Sequence, residues 1–258
     1  VVVTGYSVGR DYASSVALGG EHDYDYATVK YDTEGKQLWV ARYTGSGSAY
    51  SAAAALALDS SGNVYVTGTS QSAESDDDYL TVKYDAAGKE LWVARHDGPA
   101  SRRDSARDIA VDAWGNAYVT GFVTSDDGGA SHADWATVKY DTNGNELWVR
   151  RYGDPSTGGG DAGRDEAYAI AVDSSGSAYV TGESYHGVAD GYVYNDSATV
   201  KYDANGTQLW VARYKGPGSG SDSTTAIVLD GAGNVYVTGH SASGDKAPIC
   251  LTLKYVPK

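Results

Sequence analysis

The chain has one cysteine, one phenylalanine and no methionine among 258 residues. A single cysteine, Cys250, excludes an internal disulfide framework. No hydrophobic run reaches the roughly 20 residues of a membrane-spanning helix, so no membrane insertion is expected. Amphipathic helical periodicity is missing as well, which points away from helix throughout. Positive charge is scarce: 20 Lys and Arg against 34 Asp and Glu leave a formal charge of −14. Such a chain repels nucleic-acid backbones and anionic membranes, and suits cations or neutral polar ligands such as sugars. Enzyme motifs are lacking too. There is no G-x-S-x-G elbow, no phosphate-binding glycine loop ahead of a helix, no H-x-x-x-H pair and no EF-hand loop. Cys250 stands where Tyr26 and Tyr79 occur and has no histidine partner in sequence.

What is abundant is glycine, 33 residues, and tyrosine, 22, a composition of many turns and many strands. Four patterns cycle along the chain. The first is an apolar strand ending in aspartate: Ala55–Asp59, Asp108–Asp112, Ala169–Asp173 and Ala226–Asp230. A turn of SSGN, AWGN, SSGS or GAGN follows, its glycine free to take positive φ. The second strand reads VVVTG at Val1, VYVTG at Val64 and Val235, and AYVTG at Ala117 and Ala178. A long variable loop leads to the third, ATVKYD or LTVKYD, with LTLKY at Leu251. After a short glycine turn, the fourth carries Trp39, Trp92, Trp148 or Trp210, followed by Arg42, Arg95, Arg151 or Arg213. Successive third-strand threonines (Thr28, Thr81, Thr137, Thr199, Thr252) lie 53, 56, 62 and 53 residues apart. A self-similar unit of about 40–60 residues with four strands is the signature of a propeller blade.

The expected fold is therefore an all-β propeller of five blades of mostly four antiparallel strands, with 18 strands in total. The two seam blades have three strands each. No linker divides the chain, so residues 1–258 read as one domain, with blades at about 1–43, 52–96, 105–152, 166–214 and 223–258. A fragment of a longer propeller fits the same count. Because the chain opens inside a strand motif, Val1-Val2-Val3-Thr4-Gly5, it is expected to be a processed or excised piece.

The run A-I-A-V-D-x-x-G-N-V-Y-V-T-G followed by D-Y-x-T-V-K-Y-D-x-x-G-x-x-L-W resembles the SBBP-type β-propeller repeat of bacterial and archaeal surface proteins, over essentially the whole chain. The resemblance implies the propeller fold and an extracellular or cell-surface setting. It implies no agreed activity and supplies no catalytic residues. Naming the four strands A to D, the A–B and C–D turns share one face and the longer B–C and D–A loops the other, which is the expected functional face.

Residues that depart from the repeat are the better site candidates, because blade packing does not demand them. Arg107 and Asp108 sit on an inner strand where Ala55, Ala169 and Ala226 match Asp108; alternation predicts that the two point to opposite faces. Trp135 replaces Tyr26 and Tyr79, and Tyr185, Tyr192 and Tyr194 enrich a long loop; with Asp165 and Glu166 they suggest stacking and hydrogen bonding to a sugar. The ligand-binding candidates are thus Arg107, Asp108, Trp135, Tyr192, Asp165 and Glu166. No cofactor is expected unless a divalent cation such as calcium binds, for which Asp23, Asp76, Asp78, His22 and His132 are the candidate ligands. The more economical reading of those acids is a solvated acidic rim. Asp25, Asp78, Asp134 and Asp196 recur at one repeat position and read as Asx-type turn caps. The expected function is a non-catalytic binding or structural module whose partner is a glycan or an extracellular protein, with self-assembly open to it. The alternatives are a channel-mouth carboxylate glycoside hydrolase using Asp108, Asp165 and Glu166, and an architectural subunit of a surface layer or filament.

Overall fold

A computed structural model describes residues 1–8, 24–45, 50–72, 76–100, 102–127, 130–153, 164–189, 192–217, 220–242 and 247–256. Within strands, the side chains at 8, 126–127, 130–131, 188–189 and 192–193 lie outside that description. Among the described residues, eighteen strands form five antiparallel sheets, each in sequence order. The first holds β1 (Val2–Val8), β2 (Tyr24–Tyr31) and β3 (Gln37–Tyr43). Next come β4 (Ser51–Leu58), β5 (Val64–Gln71), β6 (Asp77–Tyr84) and β7 (Glu90–His96). The third has β8 (Ser105–Val111), β9 (Ala117–Asp127), β10 (Ala130–Tyr140) and β11 (Glu146–Tyr152). In the fourth are β12 (Glu166–Val172), β13 (Ala178–Ala189), β14 (Tyr192–Tyr202) and β15 (Gln208–Tyr214). The last comprises β16 (Asp222–Leu229), β17 (Val235–Ser241) and β18 (Ile249–Tyr255). The strand count, the five sheets and the three-stranded first and last sheets agree with the sequence reading. The A strands β4, β8, β12 and β16 pack successively on one another.

The turns owe their shape to the aspartate that closes the A strands β4, β8, β12 and β16 and the C strands β2, β6, β10 and β14. Asp59 accepts the N–H groups of Ser61 and Asn63 on Oδ1 at 3.0 and 2.9 Å, and the Asn63 amide and Tyr65 hydroxyl on Oδ2. Burial opposes its charge, but these hydrogen bonds hold its carboxyl below the usual range. Gly62, at φ +78°, supplies the left-handed step. The turn caps are these aspartates and not Asp25, Asp78, Asp134 and Asp196, which lie within C strands. Asp78 is fully buried there and pairs with Arg95 of the D strand at 2.7 Å. The cap assignment is corrected: a buried strand position selects a carboxylate when an arginine from the next strand neutralises it.

Tyrosine is common because it links sheets. Tyr65 Oη donates to Gly115 O and Tyr118 Oη to Gly176 O, each at 2.9 Å, from a B strand to the next sheet's A–B turn. Within sheets the B- and C-strand threonines pair, as Thr67–Thr81 and Thr120–Thr137 at 3.1 Å, and are fully buried or nearly so. Thr238, their counterpart in the last sheet, is exposed, as is Val228 at 61%. The last sheet therefore leaves open a face that its predecessors bury.

Candidate ligand-binding site

Every described A strand carries a bulge at the same place. In β8 the register jumps from Ala106↔Gly121 to Asp108↔Thr120, leaving Arg107 as the extra residue. Ala54, Tyr168 and Thr225 hold that place in β4, β12 and β16. The bulged backbone presses onto the glycine of the V-T-G motif: a Cβ on Gly121 would stand 2.0 Å from Ser105 O, and one on Gly182 2.0 Å from Glu166 O. That close approach, and not a special φ, is why glycine follows the threonine.

The bulge breaks alternation, and the expectation that Arg107 and Asp108 diverge is corrected. Both reach β12 of the neighbouring sheet. Asp108 Oδ2 accepts the Ile170 N–H at 2.9 Å and Oδ1 that of Ile109 at 2.8 Å. Burial raises its pKa against the pull of those two donors. Arg107 Nη2 lies 3.4 Å from Glu166 Oε2, and Arg164 contacts the other oxygen of that buried carboxylate. The two guanidiniums also flank Phe122, at 5.5 and 5.0 Å from its ring centre. Tyr168 donates to Glu183 Oε1 at 2.8 Å, and the Trp135 indole to Glu183 O at 2.8 Å.

Arg107, Asp108, Trp135, Asp165 and Glu166 thus gather where β8 and β12 begin and β9 and β13 pass the V-T-G glycine. This is the end of the sheets that carries the B–C and D–A loops. Their roles differ from the sequence expectation in two cases. Trp135 is 1% exposed and packs against Tyr152, ring centres 4.9 Å apart and planes tilted by 56°, so it is core and not a stacking platform. Asp165 accepts the Tyr185 N–H at 2.8 Å, repeating Asp104 on Thr124 N, and Asp222 on Gly216 N repeats Asp104 on Gly98 N, which marks a loop clasp shared by three sheets; the second has Ser51 at that position. Tyr185 is buried too. Tyr192 opens β14 opposite Ala189, its side chain outside the described residues. What remains accessible is Arg107 and Arg164, with side chains 38% and 56% exposed, beside half-buried Tyr168 and Glu183. Arg164, Phe122, Tyr168 and Glu183 were missed. Phe122 had a signal, as the chain's one phenylalanine at a position filled elsewhere by Thr69, Glu183 and His240.

The cation candidates do not assemble as expected. His22 and Asp23 fall outside the described residues. His132 lies 3.7 Å from Asp134, and Asp76 is exposed. Asp78 instead meets Asp97 and Asp104, with ligand oxygens within 4.8 Å of one another. Burial pushes Asp104 up to about 6, although the Thr124 and Gly98 N–H groups pull the other way. Arg95 and those backbone donors already supply positive partners to the group.

Comparison with known proteins bears on the repeat. The family model described as SBBP, Beta-propeller repeat, matches residues 39–74, 147–187 and 210–245. No curated protein matches the chain. Among solved structures, a gluconolactonase from Xanthomonas campestris is 13% identical, at a TM-score of 0.33, over 99% of this chain and 87% of that one. A second structure, assigned provisionally to the gluconolactonases, is 10% identical at 0.32, over 83% and 80%. Likeness of this degree extends to neither site nor activity.

Proposed function

We propose, from the premise that the chain carries SBBP β-propeller repeats, that it is a non-catalytic binding module whose five sheets act as blades. Its ligand is a polar one, a glycan or the polar face of an extracellular protein, held on the B–C/D–A face. The observation that supports this is the convergence of repeat-breaking charge from two sheets: accessible Arg107 and Arg164 flank Phe122 and share the buried carboxylate of Glu166, beside the half-buried Tyr168–Glu183 pair. At the positions of Arg107 and Glu166 another blade packs with Ala54 and Ala52, so the charges are not a packing need. Guanidinium forks with adjacent carboxylates and a tyrosine offer both donors and acceptors to vicinal hydroxyls.

The hydrolase alternative has one point in its favour, the raised pKa of Asp108. Both of its oxygens are taken by backbone N–H groups, however, and Glu166 lies between two arginines. Carboxylates so engaged are poor proton donors to a leaving group. A glycan array read in parallel with hydrolysis of the same sugars tests the proposal. Binding without hydrolysis is the expected outcome; turnover would overturn the non-catalytic reading. A cell-surface or extracellular location goes with this function.

A further inference from the structure

Successive A strands bring equivalent positions together at each junction between sheets. One position is the bulge residue of the first A strand. The second is the residue of the next A strand that pairs with the one after the V-T-G glycine, and the third lies two residues before it. Between β4 and β8 these are Ala54, Ser105 and Arg103. Between β12 and β16 they are Tyr168, Ser223 and Ser221. Between β8 and β12 they are Arg107, Glu166 and Arg164. Arg103 turns to Asp77, at 3.3 Å. Among the described residues, two guanidiniums therefore meet at one junction only.

Their charge is turned outward and the balancing charge inward. Arg107 and Arg164 are accessible, whereas the Glu166 side chain between them is 5% exposed. Asp165 is buried on the Tyr185 N–H, and Asp108 has both oxygens on backbone N–H groups. Two cations thus share one carboxylate. Arg107 is under-satisfied: its 3.4 Å contact is long for a charge-assisted bond, and its Nε is buried with no acceptor among the described residues. A guanidinium offers five N–H donors, so most donors of the pair remain for a further acceptor.

The formal charge of −14 opposes anions at long range, but at physiological salt that field decays over about 8 Å, and local donors decide. Beside the arginines, Tyr168 donates to Glu183 Oε1 at 2.8 Å. Glu183 is half-buried and keeps acceptor capacity for a hydroxyl, while an acidic peptide would meet it as a like charge. A carboxylate for the guanidiniums and hydroxyls for Glu183 occur together on one kind of ring, a uronate sugar.

Resting on the reading of this face as a glycan-binding surface, we propose that its ligand is an acidic glycan. A uronate carboxylate bridges Arg107 and Arg164 from the solvent side, opposite Glu166, and a ring hydroxyl donates to Glu183. The planar carboxylate matches the guanidinium fork, which a single lysine would not provide.

The test is calorimetric titration at pH 7 with oligomers of galacturonate, glucuronate and mannuronate, each beside its methyl ester. A sulfated galactan oligomer and a glutamate oligomer complete the series. The tightest-binding acid should exceed its own methyl ester, the sulfated oligomer and the peptide by at least about tenfold. In Arg164→Gln, shown folded by its melting temperature, the acid-to-ester ratio should fall at least about fivefold. Equal affinity for acid and ester would overturn the anionic ligand and leave the glycan reading standing. Preference for the sulfated oligomer or for the peptide would overturn the uronate, and an unchanged ratio in Arg164→Gln would overturn the role of the arginines. Should that variant not fold, the acid-to-ester comparison on the parent decides alone. Binding of no sugar at all would overturn this inference together with the reading on which it rests.

Discussion

Asp108→Ala separates a staple between sheets from a ligand contact. Its carboxylate accepts two backbone N–H groups, Ile109 at 2.8 Å on its own strand and Ile170 at 2.9 Å on the next sheet. Alanine leaves both donors without that acceptor. A hydrogen bond to a charged group contributes about 1.5 kcal/mol at the low end of its range, so two give about 3 kcal/mol. Because burial already disfavours the charge, relief of that cost offsets part, and a net loss of about 2–3 kcal/mol is expected. For a chain of this size that lowers the melting temperature by roughly 5–10 °C. The assay is thermal unfolding followed by circular dichroism at pH 7, with ligand binding measured well below the transition. Binding should persist in the folded fraction. An unchanged melting temperature, or abolished binding with unchanged stability, would refute the staple.

Asp104, raised to about 6, favours its protonated form in the fold. Its contribution is therefore greatest below the unfolded value of about 3.9 and is lost as pH rises through about 6. Asp104→Asn should gain stability relative to the parent between pH 4 and pH 7, and a constant gap in melting temperature would contradict this. Gly144, at φ +86° with the Trp92 ring 2.8 Å from any added Cβ, should lose about 1–3 kcal/mol as Gly144→Ala. Gly231→Ala, which meets nothing within 4 Å, should stay within about 0.5 kcal/mol in the same denaturation series. Calcium at millimolar concentration should leave the melting temperature unchanged, since Arg95 and backbone donors already hold the Asp78–Asp97–Asp104 group. A rise that Asp104→Ala abolishes would show that group to be a cation site instead.

The strands and turns were legible in the sequence because their signals are local. D-x-x-G-N places an aspartate cap and a left-handed glycine within five residues, and period-2 patterning supplies the rest. The bulge was not legible. One extra residue in β4, β8, β12 and β16 changes no pattern that can be read without the partner strand, yet it turns Arg107 and Asp108 toward the same neighbour. For the same reason the buried aspartates looked like turn caps: Asp78 and Arg95 are 17 residues apart and meet only through the β6–β7 pairing. Repetition was informative in one direction. Asp165 proved to be a clasp shared with Asp104 and Asp222, whereas Glu166 and Arg107 departed from the repeat and met each other.

The most direct test of the binding account is a glycan array run with the parent chain, Arg164→Ala and Trp114→Ala, each checked for its melting temperature. Trp114, 60% exposed, stands in the A–B turn of the third sheet and offers the rival aromatic surface on the opposite face. The account predicts that the parent binds, that Arg164→Ala weakens binding at least about tenfold, and that Trp114→Ala binds as the parent does. Loss of binding in Trp114→Ala with Arg164→Ala unaffected would contradict it, as would a parent chain that binds no glycan and no extracellular protein at that patch.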